Sequence, residues 1–196
     1  MPFGKGLVPP TELTTADFFL RPITADDAER DFAAVMESRE YLRFWEQSTW
    51  PRDNFTVQEN RADLESLERR HKDNVGFTYT VLDPTHNECL GCVYLLPADA
   101  PSFETATITP LDGTEWGDRE ATVYFWARKS QVALHADARL LEALRVWLAS
   151  EWDLRGHLFV TNEQFVQQVE LFEASGLQRR VKIEEDGKPG AYFAYA

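Results

Sequence analysis

The segment VYFWARKSQVALHADARLLEALRVWL, residues 123–148, changes its hydrophobic period halfway along and restricts the possible folds more than any other part of the chain. Val123, Phe125 and Ala127 alternate with their neighbours as they would in a β-strand. Further on, Leu140, Trp147 and the apolar residues between them recur at the three- and four-residue spacing of a helix. The segment therefore predicts a strand that runs into a helix through about nine residues.

The connection between this strand and this helix is similar to a phosphate-binding turn without its glycines. The start of a helix offers an anion unpaired N–H groups and the positive end of the helix dipole. Here the turn carries His135 and Asp137 instead of glycine. Because aspartate is a good N-cap residue, we expect the Asp137 side chain to accept the N–H groups that a phosphate would otherwise take. A capped helix start with no ligand is the alternative.

Composition favours one domain. A chain of 196 residues with 43% hydrophobic content can bury one substantial core. We expect an irregular N-terminal arm over residues 1–17 and a single domain over residues 18–196. The chain contains no apolar run of membrane-spanning length, and its start lacks the apolar core of a signal peptide. These features predict a cytoplasmic protein without membrane association.

The formal charge of -13 is spread along the whole chain. Nucleic acids are bound by clustered Lys and Arg, so the charge argues against a nucleic-acid partner. An acidic protein can attract a cationic amine, although a solvated acidic surface explains the same composition.

Cys89 and Cys92 form a C-x-x-C pair, which is found in redox motifs and in metal sites. The segment around them is apolar and strand-like, and residues three apart on a strand point to opposite faces. His86 alone adds too little for a tetrahedral zinc site. We therefore expect two buried structural cysteines and no metal.

The order of elements and three short segments resemble the GNAT superfamily of N-acetyltransferases. The segments are LRPITADDAERD near the start, YFWARKS before the central helix and LFEASGL before the last hairpin. The resemblance spans roughly residues 18–196 and is closest to the branch that acetylates the N termini of ribosomal proteins. It implies an α/β fold of the α+β type, with a mixed, splayed central sheet of about six to seven strands flanked by about four helices. Acetyl-CoA would enter this sheet from one side and an amine from the other.

The resemblance also implies a binding site for acetyl-CoA or another acyl-CoA. Main-chain groups of the central strand would contact the acyl carbonyl and the pantetheine arm, and the following turn would hold the pyrophosphate. The residues concerned are Phe125, Trp126, Ala127 and Arg128 on the strand, and Ala133, Leu134, His135, Ala136 and Asp137 in the turn. The family's glycine positions in this turn are not glycine here. A carboxylate about 6 Å from a pyrophosphate charge would be repelled by about 3 kcal/mol at an effective dielectric constant near 20.

Two further positions depart from the family pattern. The family often has a tyrosine four residues before the glycine of LFEASGL, where it protonates the leaving thiolate, and this chain has Phe172. A general acid contributes about 10²–10⁴-fold, but a thiol of pKa about 8.5 is a fair leaving group without one. The asparagine that often precedes this helix is replaced by Phe165.

The family mechanism needs a base close to the acyl carbon, and Glu120 and Tyr124 are the candidates by position. Glu120 can also be a solvated strand end, and Tyr124 a packed aromatic. Trp45, Glu46 and Trp50 could surround a cationic amine with aromatic faces and one carboxylate. Aromatic core packing is the alternative for these three residues.

Two functions of different classes follow from these patterns. The first is an N-acyltransferase that transfers an acetyl or other short acyl group from acyl-CoA to a primary amine by direct attack. The second is a catalytically silent GNAT-like module that binds a small molecule or a partner. An acyl-enzyme formed by Cys92 with His135 is a third route, which requires the two residues to meet in the fold. The acceptor stays open between small molecules and peptides, and the charged surface leaves room for a homodimer.

Overall fold

The computed structural model describes residue 3 and residues 7–113 and 115–196. The α-helices within these ranges are Ala28–Glu37 (α1), Arg39–Glu46 (α2), Val57–Lys72 (α3), Lys129–Val132 (α4), Ala136–Ser150 (α5) and Val166–Ala174 (α6). The strands are Leu13–Thr14 (β1), Phe19–Pro22 (β2), Phe77–Leu82 (β3), Cys89–Pro97 (β4), Thr107–Pro110 (β5), Ala121–Ala127 (β6), His157–Asn162 (β7), Arg179–Glu184 (β8) and Tyr192–Tyr195 (β9).

The strands form one mixed sheet in the order β1-β2-β3-β4-β6-β7-β9-β8-β5. Its pairs are antiparallel except for the central pair of β6 with β7, which is parallel. This arrangement confirms the predicted α/β fold class. The described chain has more elements than predicted, because β1 and β5 add short strands at the two edges of the sheet. The additional helices are α2 and α4.

The central pair is splayed. β6 pairs with β4 over the full length of β6, from Ala127 opposite Gly91 to Ala121 opposite Pro97. In contrast, β6 and β7 pair only from Ala121 to Val123 of β6. Residues 124–127 therefore leave the parallel ladder and open a gap between the two middle strands. The change of period in the sequence placed both the strand and the following helix correctly, as β6 and α5 show.

Apolar layers cover both faces of the sheet. Val123 and Phe125 of β6 pack with Leu140, Leu144 and Phe172 of the helices α5 and α6. The alternate residue Trp126 faces the other way, into a cluster formed with α1, α2 and α3. Both faces of β6 are thus buried, which is why the strand has an almost continuous run of apolar and aromatic residues.

The two cysteines are buried and free, as predicted. The expectation that they face opposite sides of the sheet is wrong, because both belong to the cluster beneath α1 and α3. The cause is a register shift: Gly91 pairs with Val81, but the neighbouring pair is Cys89 with Leu82. An extra residue in β4 changes the alternation at this point.

The N-terminal arm contains a short strand. Within the predicted irregular arm, Leu13 and Thr14 pair with β2, so the arm is not irregular there. Residues 1–2 and 4–6 of the arm lie outside the described residues.

No helix in the described part of the chain is both long and apolar enough to cross a membrane.

Candidate functional site

A cavity of about 470 Å³ opens on the sheet face covered by α2 and α3. Its lining comes from α2 and the residues after it, α3, β4 and the segment after it, β6, the β8–β9 turn and β9. The lining residues are Trp45, Glu46, Trp50, Asp63, Ser66, Leu67, Arg70, Tyr94, Leu96, Ser102, Tyr124, Glu185, Lys188 and Tyr192. The structure thus brings together Trp45, Glu46, Trp50 and Tyr124, four residues that the sequence analysis singled out.

The cavity lies beside the splayed strands. Tyr124 is the first residue of β6 beyond its last pair with β7. Tyr94 lies directly opposite Tyr124 on β4. On the other side of the gap, Tyr192 of β9 pairs with Asn162 at the end of β7. The cavity therefore extends across the point where the two middle strands separate.

The end of α2 is held in place by two sets of hydrogen bonds. Asn162 Nδ2 donates to the carbonyl oxygens of Phe44 and Trp45, at 2.9 and 2.7 Å. Gln47, which has a left-handed backbone conformation with φ 51°, exchanges two hydrogen bonds with the main chain of Gly190. These contacts fix the position of Trp45 and connect α2 to the β8–β9 turn.

Aromatic rings and carboxylates share the cavity. The rings of Trp45 and Tyr94 lie 5.8 Å apart, and Trp126 Nε1 donates to the Tyr94 hydroxyl at 3.3 Å. On the turn, Lys188 Nζ donates to the Glu46 main-chain oxygen at 2.6 Å and contacts its carboxylate at 3.3 Å. The lining contains three carboxylates and two cations, so it suits a cationic group enclosed by aromatic faces.

Two of the three carboxylates have raised pKa values. Burial raises the pKa of Glu185, and the Glu46 carboxylate adds to this effect while Lys188 opposes it. Burial also raises the pKa of Asp63, against a hydrogen bond with Trp50. A carboxyl whose pKa lies closer to neutrality is a better proton acceptor at physiological pH than an ordinary surface glutamate.

The free edge of β6 faces the gap. The Arg128 N–H donates to the Leu90 carbonyl of β4 at 2.7 Å, and main-chain groups of successive residues in a strand point to alternate sides. The main-chain groups of Phe125 and Ala127 therefore point away from β4 and into the gap. The Phe125 carbonyl accepts a hydrogen bond of 3.0 Å from Gln168 Nε2 of α6.

Gln168 has one satisfied and one unsatisfied side-chain atom. The residue is 2% exposed. Its amide orientation is fixed, because only the nitrogen can donate to the Phe125 carbonyl. Within the described residues, the buried Gln168 Oε1 has no hydrogen-bond partner. An unsatisfied buried polar atom costs about 1–3 kcal/mol.

The turn after β6 differs from the prediction. The N-cap of α5 is His135, in a left-handed conformation with φ 58°, and its side chain makes no capping bond. The predicted N-cap role of Asp137 is therefore wrong. The short helix α4 occupies the first part of the connection. Helix α5 then begins at Ala136, two residues before the start that an Asp137 cap would require. The Asp137 carboxylate still accepts the N–H of Ala138, at 2.9 Å.

Side chains from three helices meet beside the gap. Gln167 Nε2 donates to Asp137 Oδ2 at 2.8 Å and so joins the first turns of α5 and α6. The ring of Tyr41 on α2 packs edge-on against Phe165 at 4.5 Å. Burial raises the pKa of Tyr41, the nearby Asp137 charge raises it further, and a hydrogen bond with Gln167 opposes the shift.

The other members of the predicted acyl-CoA site are spread around this turn. Trp126 is buried on the cavity face. Arg128 makes an ion pair of 2.6 Å with Glu37, at the end of α1. Ala133, Leu134 and His135 are exposed, whereas Ala136 is buried. Their binding roles stay predictions.

Glu120 lies at the opposite end of β6 from the gap, outside the large cavity. Its carboxylate accepts from Arg155 Nε at 2.8 Å and from the Arg155 main-chain N–H at 2.7 Å. The hydrogen bonds from Arg155 hold the pKa of Glu120 below its ordinary value. The role of Glu120 as a base stays a prediction. Because Glu120 lies outside the cavity, the carboxylates that line the cavity are the other candidates for the base.

Cys92 and His135 do not share a site. Cys92 is 1% exposed and its thiol donates to the Tyr79 carbonyl. Burial raises the pKa of Cys92, which disfavours the thiolate form that a nucleophile needs. His135 is exposed at the start of α5.

Sequence reasoning missed Glu185, Lys188, Asp63 and Gln168. The first two lie in a turn that the sequence showed only as charged and glycine-containing. A signal for Gln168 was present, because it occupies a helical stripe with Phe165, Val169 and Phe172, and all four are buried. A polar residue on an apolar stripe marks a place where a buried partner is required.

No protein-family model matches the sequence, and a comparison with curated proteins finds no match. Solved structures do match over almost the whole chain. The ribosomal-protein-S5-alanine acetyltransferase from Vibrio fischeri is 15% identical, with 95% of each chain covered and a TM-score of 0.65. The RimL ribosomal L7/L12 α-N-protein acetyltransferase, in complex with coenzyme A, is 14% identical, with 96% of each chain covered and a TM-score of 0.66.

A third match is the microcin C7 self-immunity acetyltransferase MccE in complex with acetyl-CoA and AMP. It is 9% identical, covers 95% of this chain and 96% of its own, and has a TM-score of 0.66. At these identities the likeness shows the fold, and the chain has the fold of the GNAT acetyltransferases. The resemblance inferred from the sequence is thus confirmed for the fold.

Proposed function

We propose that this protein is an acyl-CoA-dependent N-acyltransferase that transfers an acetyl or other short acyl group to a primary amine. The observation that carries the proposal is the position of the 470 Å³ cavity, whose lining residue Tyr124 is the first to leave the β6–β7 ladder. A compound in the gap and an amine in the cavity would meet at this residue. The solved structures of similar fold are acetyltransferases, two of them with CoA or acetyl-CoA bound, which supports the same chemistry here.

The side chains fit the arm of acyl-CoA better than its pyrophosphate. At the gap, the free main-chain edge of β6 and the unpartnered Gln168 Oε1 suit a chain of amide groups. In the turn, the Asp137 carboxylate occupies the Ala138 N–H and carries a repelling charge. Acyl-CoA, when bound, supplies an activated thioester whose leaving group is the CoA thiol.

This chain's residues have distinct proposed roles. Trp45 and Trp50 surround the acceptor amine, and Glu46 attracts it as an ammonium ion. Glu185 takes the proton that leaves the amine, because its raised pKa matches this task. The main-chain N–H groups on the free edge of β6 can stabilise negative charge that develops on the acyl oxygen.

The acceptor is a primary amine on a small molecule or a peptide. The excess of carboxylates in the cavity favours an acceptor with a positive charge. Two of the structural neighbours named above act on ribosomal proteins, so a protein N terminus is one acceptor of this class. The cytoplasmic location and the homodimer stay predictions from the sequence.

A thiol-release assay with acetyl-CoA and a panel of amines tests the proposal. We expect release of CoA that depends on the amine, with an acetylated amine of matching amount detected by mass spectrometry. Release without acetylation of any amine, or the absence of both, would contradict the proposal.

The silent binding module is the second candidate function. The hydrogen bond between Asp137 and Gln167 favours it, since it joins the two helices where a CoA molecule would have to lie. The ion pair of Arg128 with Glu37 also favours the silent module, because the Glu37 carboxylate already neutralises the Arg128 charge. Calorimetry separates the two candidates, because the module would release no heat with acetyl-CoA.

A further inference from the structure

We propose that Arg70 is a binding residue for the acceptor and that the acceptor is a small zwitterion, a primary amine that carries a carboxylate several bonds away. The inference rests on the proposed function and narrows its class of acceptor. The ammonium group lies near Glu46 and Glu185. The carboxylate accepts hydrogen bonds from the Arg70 guanidinium at the opposite wall of the cavity.

Arg70 is the cation of the cavity that the protein leaves unpaired. It lies on α3, lines the cavity and is half-buried. Its guanidinium makes no hydrogen bond or ion pair with any other residue that the structure describes. The other cation of the lining, Lys188, is already bound to Glu46. A guanidinium can bind a carboxylate through two parallel N–H groups, so Arg70 offers a place for this anion.

The Arg70 side chain lies over Gly76. Its Nη2 is 3.2 Å from the position that a Cβ would take at Gly76, and Cδ2 of the lining residue Leu96 is equally close to that position. Gly76 does not have a positive φ, so a left-handed backbone is not the reason for this glycine. The absence of a side chain leaves the room in which the guanidinium and Leu96 both fit. Arg70 is thereby placed against the cavity wall.

The unpaired cation and the carboxylates belong to opposite walls. Gly76, beneath Arg70, directly precedes β3, whereas Glu185 lies in the turn between β8 and β9. In the sheet, β4, β6 and β7 lie between β3 and β9. Burial raises the pKa of Tyr124, and the charges of Glu185 and Glu46 raise it further, so both carboxylates lie near that ring. A ligand that contacts both walls therefore carries its two charges several bonds apart.

The size and charge of the cavity limit the anion and its carrier. A cavity of about 470 Å³ has the size that encloses most of a small molecule. The three carboxylates of the lining repel a doubly charged phosphate about twice as strongly as a singly charged carboxylate. A linear ω-amino acid, with an ammonium group at one end and a carboxylate at the other, has the required chemistry.

Pairs of acceptors that differ only in the anion test the proposal. Linear ω-amino acids of increasing length, from β-alanine upwards, are compared in the thiol-release assay with their own carboxamides, which keep the amine and lack the negative charge. At the length that reaches Arg70, the acid should have a KM about 10- to 100-fold lower than its carboxamide. The two should differ little in kcat, because the contact is the same in the ground state and the transition state.

Arg70→Gln should abolish this preference, with Arg69→Gln as the matched control. Arg69 precedes Arg70 on α3, but it is exposed and lies outside the cavity, so Arg69→Gln should keep the preference. In Arg70→Gln, the acid and its carboxamide should have equal KM values. Arg70→Glu should reverse the preference and favour an ω-diamine of the same length, which a purely structural role of Arg70 would not produce.

The possible failures are distinguishable. If the unmodified protein acetylates no amine, both the proposed function and this inference are overturned. If it acetylates the acids and their carboxamides with equal KM, or acetylates only polypeptide N termini, only the inference is overturned. The inference also fails if Arg70→Gln keeps the preference for the acid, or if Arg69→Gln loses the preference to the same extent.

Discussion

Gln167 Nε2 of α6 donates a hydrogen bond of 2.8 Å to Asp137 Oδ2 of α5 and links the first turns of the two helices. These turns flank the gap between β6 and β7, and Asp137 also occupies the N–H of Ala138. One carboxylate thus takes a donor from the helix start and places a negative charge there.

Asp137→Ala should bind acetyl-CoA more tightly than the unmodified protein. The substitution removes a charge that opposes the pyrophosphate, by about 3 kcal/mol at 6 Å and an effective dielectric constant near 20, and it frees the Ala138 N–H. We expect a gain in affinity of about tenfold or more in calorimetry. Asp137→Asn removes only the charge and should give part of the gain, whereas weaker binding by both variants would contradict the proposed placement of the pyrophosphate.

Glu185→Gln should slow acetyl transfer with little change in acetyl-CoA affinity. Loss of a general base typically costs about 10²–10⁴-fold in rate. Because burial raises the pKa of Glu185, the rate of the unmodified protein should rise as the pH rises through that pKa and the base loses its proton. The measurement is kcat and KM across pH.

Glu120→Gln is the matched control for Glu185→Gln. Glu120 is ion-paired with Arg155 and lies outside the cavity, so its substitution should leave kcat close to that of the unmodified protein. A loss of rate in Glu120→Gln, with normal turnover in Glu185→Gln, would instead support the base predicted from the sequence.

Trp45→Ala should raise KM for a cationic amine. A cation over an indole face gains about 0.5–2 kcal/mol, which corresponds to a rise of roughly 2- to 30-fold. Trp116→Ala is a suitable control, because Trp116 lies outside this cavity and donates to the Ala98 carbonyl. Equal effects of the two substitutions would indicate a general loss of packing and would count against amine recognition by Trp45.

Asp31→Asn should change how stability depends on pH. Burial raises the pKa of Asp31 to about 6, from the model-compound value of 3.8. The folded state therefore binds a proton more tightly than the unfolded state does, and stability falls as the pH rises from about 4 to about 6. The loss amounts to at most about 3 kcal/mol, and Asp31→Asn should be free of it.

Urea unfolding at pH 4.5 and pH 7 measures this effect. The difference between Asp31→Asn and the unmodified protein should be small at the lower pH and should favour the variant at the higher pH. Asp26→Asn, at an exposed carboxylate, controls for the removal of a surface charge. A variant that is less stable at both pH values would contradict the raised pKa, because Asp31 would then be ionised at both pH values and would accept the hydrogen bond from Asn60 in that form.

The sequence predicted the parts of the site that depend on local pattern. The period change at Ala127 located β6 and α5, and the group of aromatic residues around Trp45 and Trp50 identified one wall of the cavity. Both signals arise within a few residues of chain, where alternation and helical spacing are visible.

The parts that were missed depend on contacts between distant segments. Glu185 meets Tyr124 only because β8 and β9 fold back beside β7, which no local pattern shows. The two cysteines share a face because of one extra residue in β4, and the local sign of this bulge in the sequence is Gly91 within the strand. The cap of α5 shifted to His135 because a short helix formed in the connection.

Calorimetric titration of the unmodified protein with acetyl-CoA tests the central claim most directly, because the claim requires the gap between β6 and β7 to admit the acyl-CoA arm. We expect saturable binding of one acetyl-CoA per chain in the micromolar range. The absence of heat up to millimolar acetyl-CoA would contradict it and leave the silent binding module as the function.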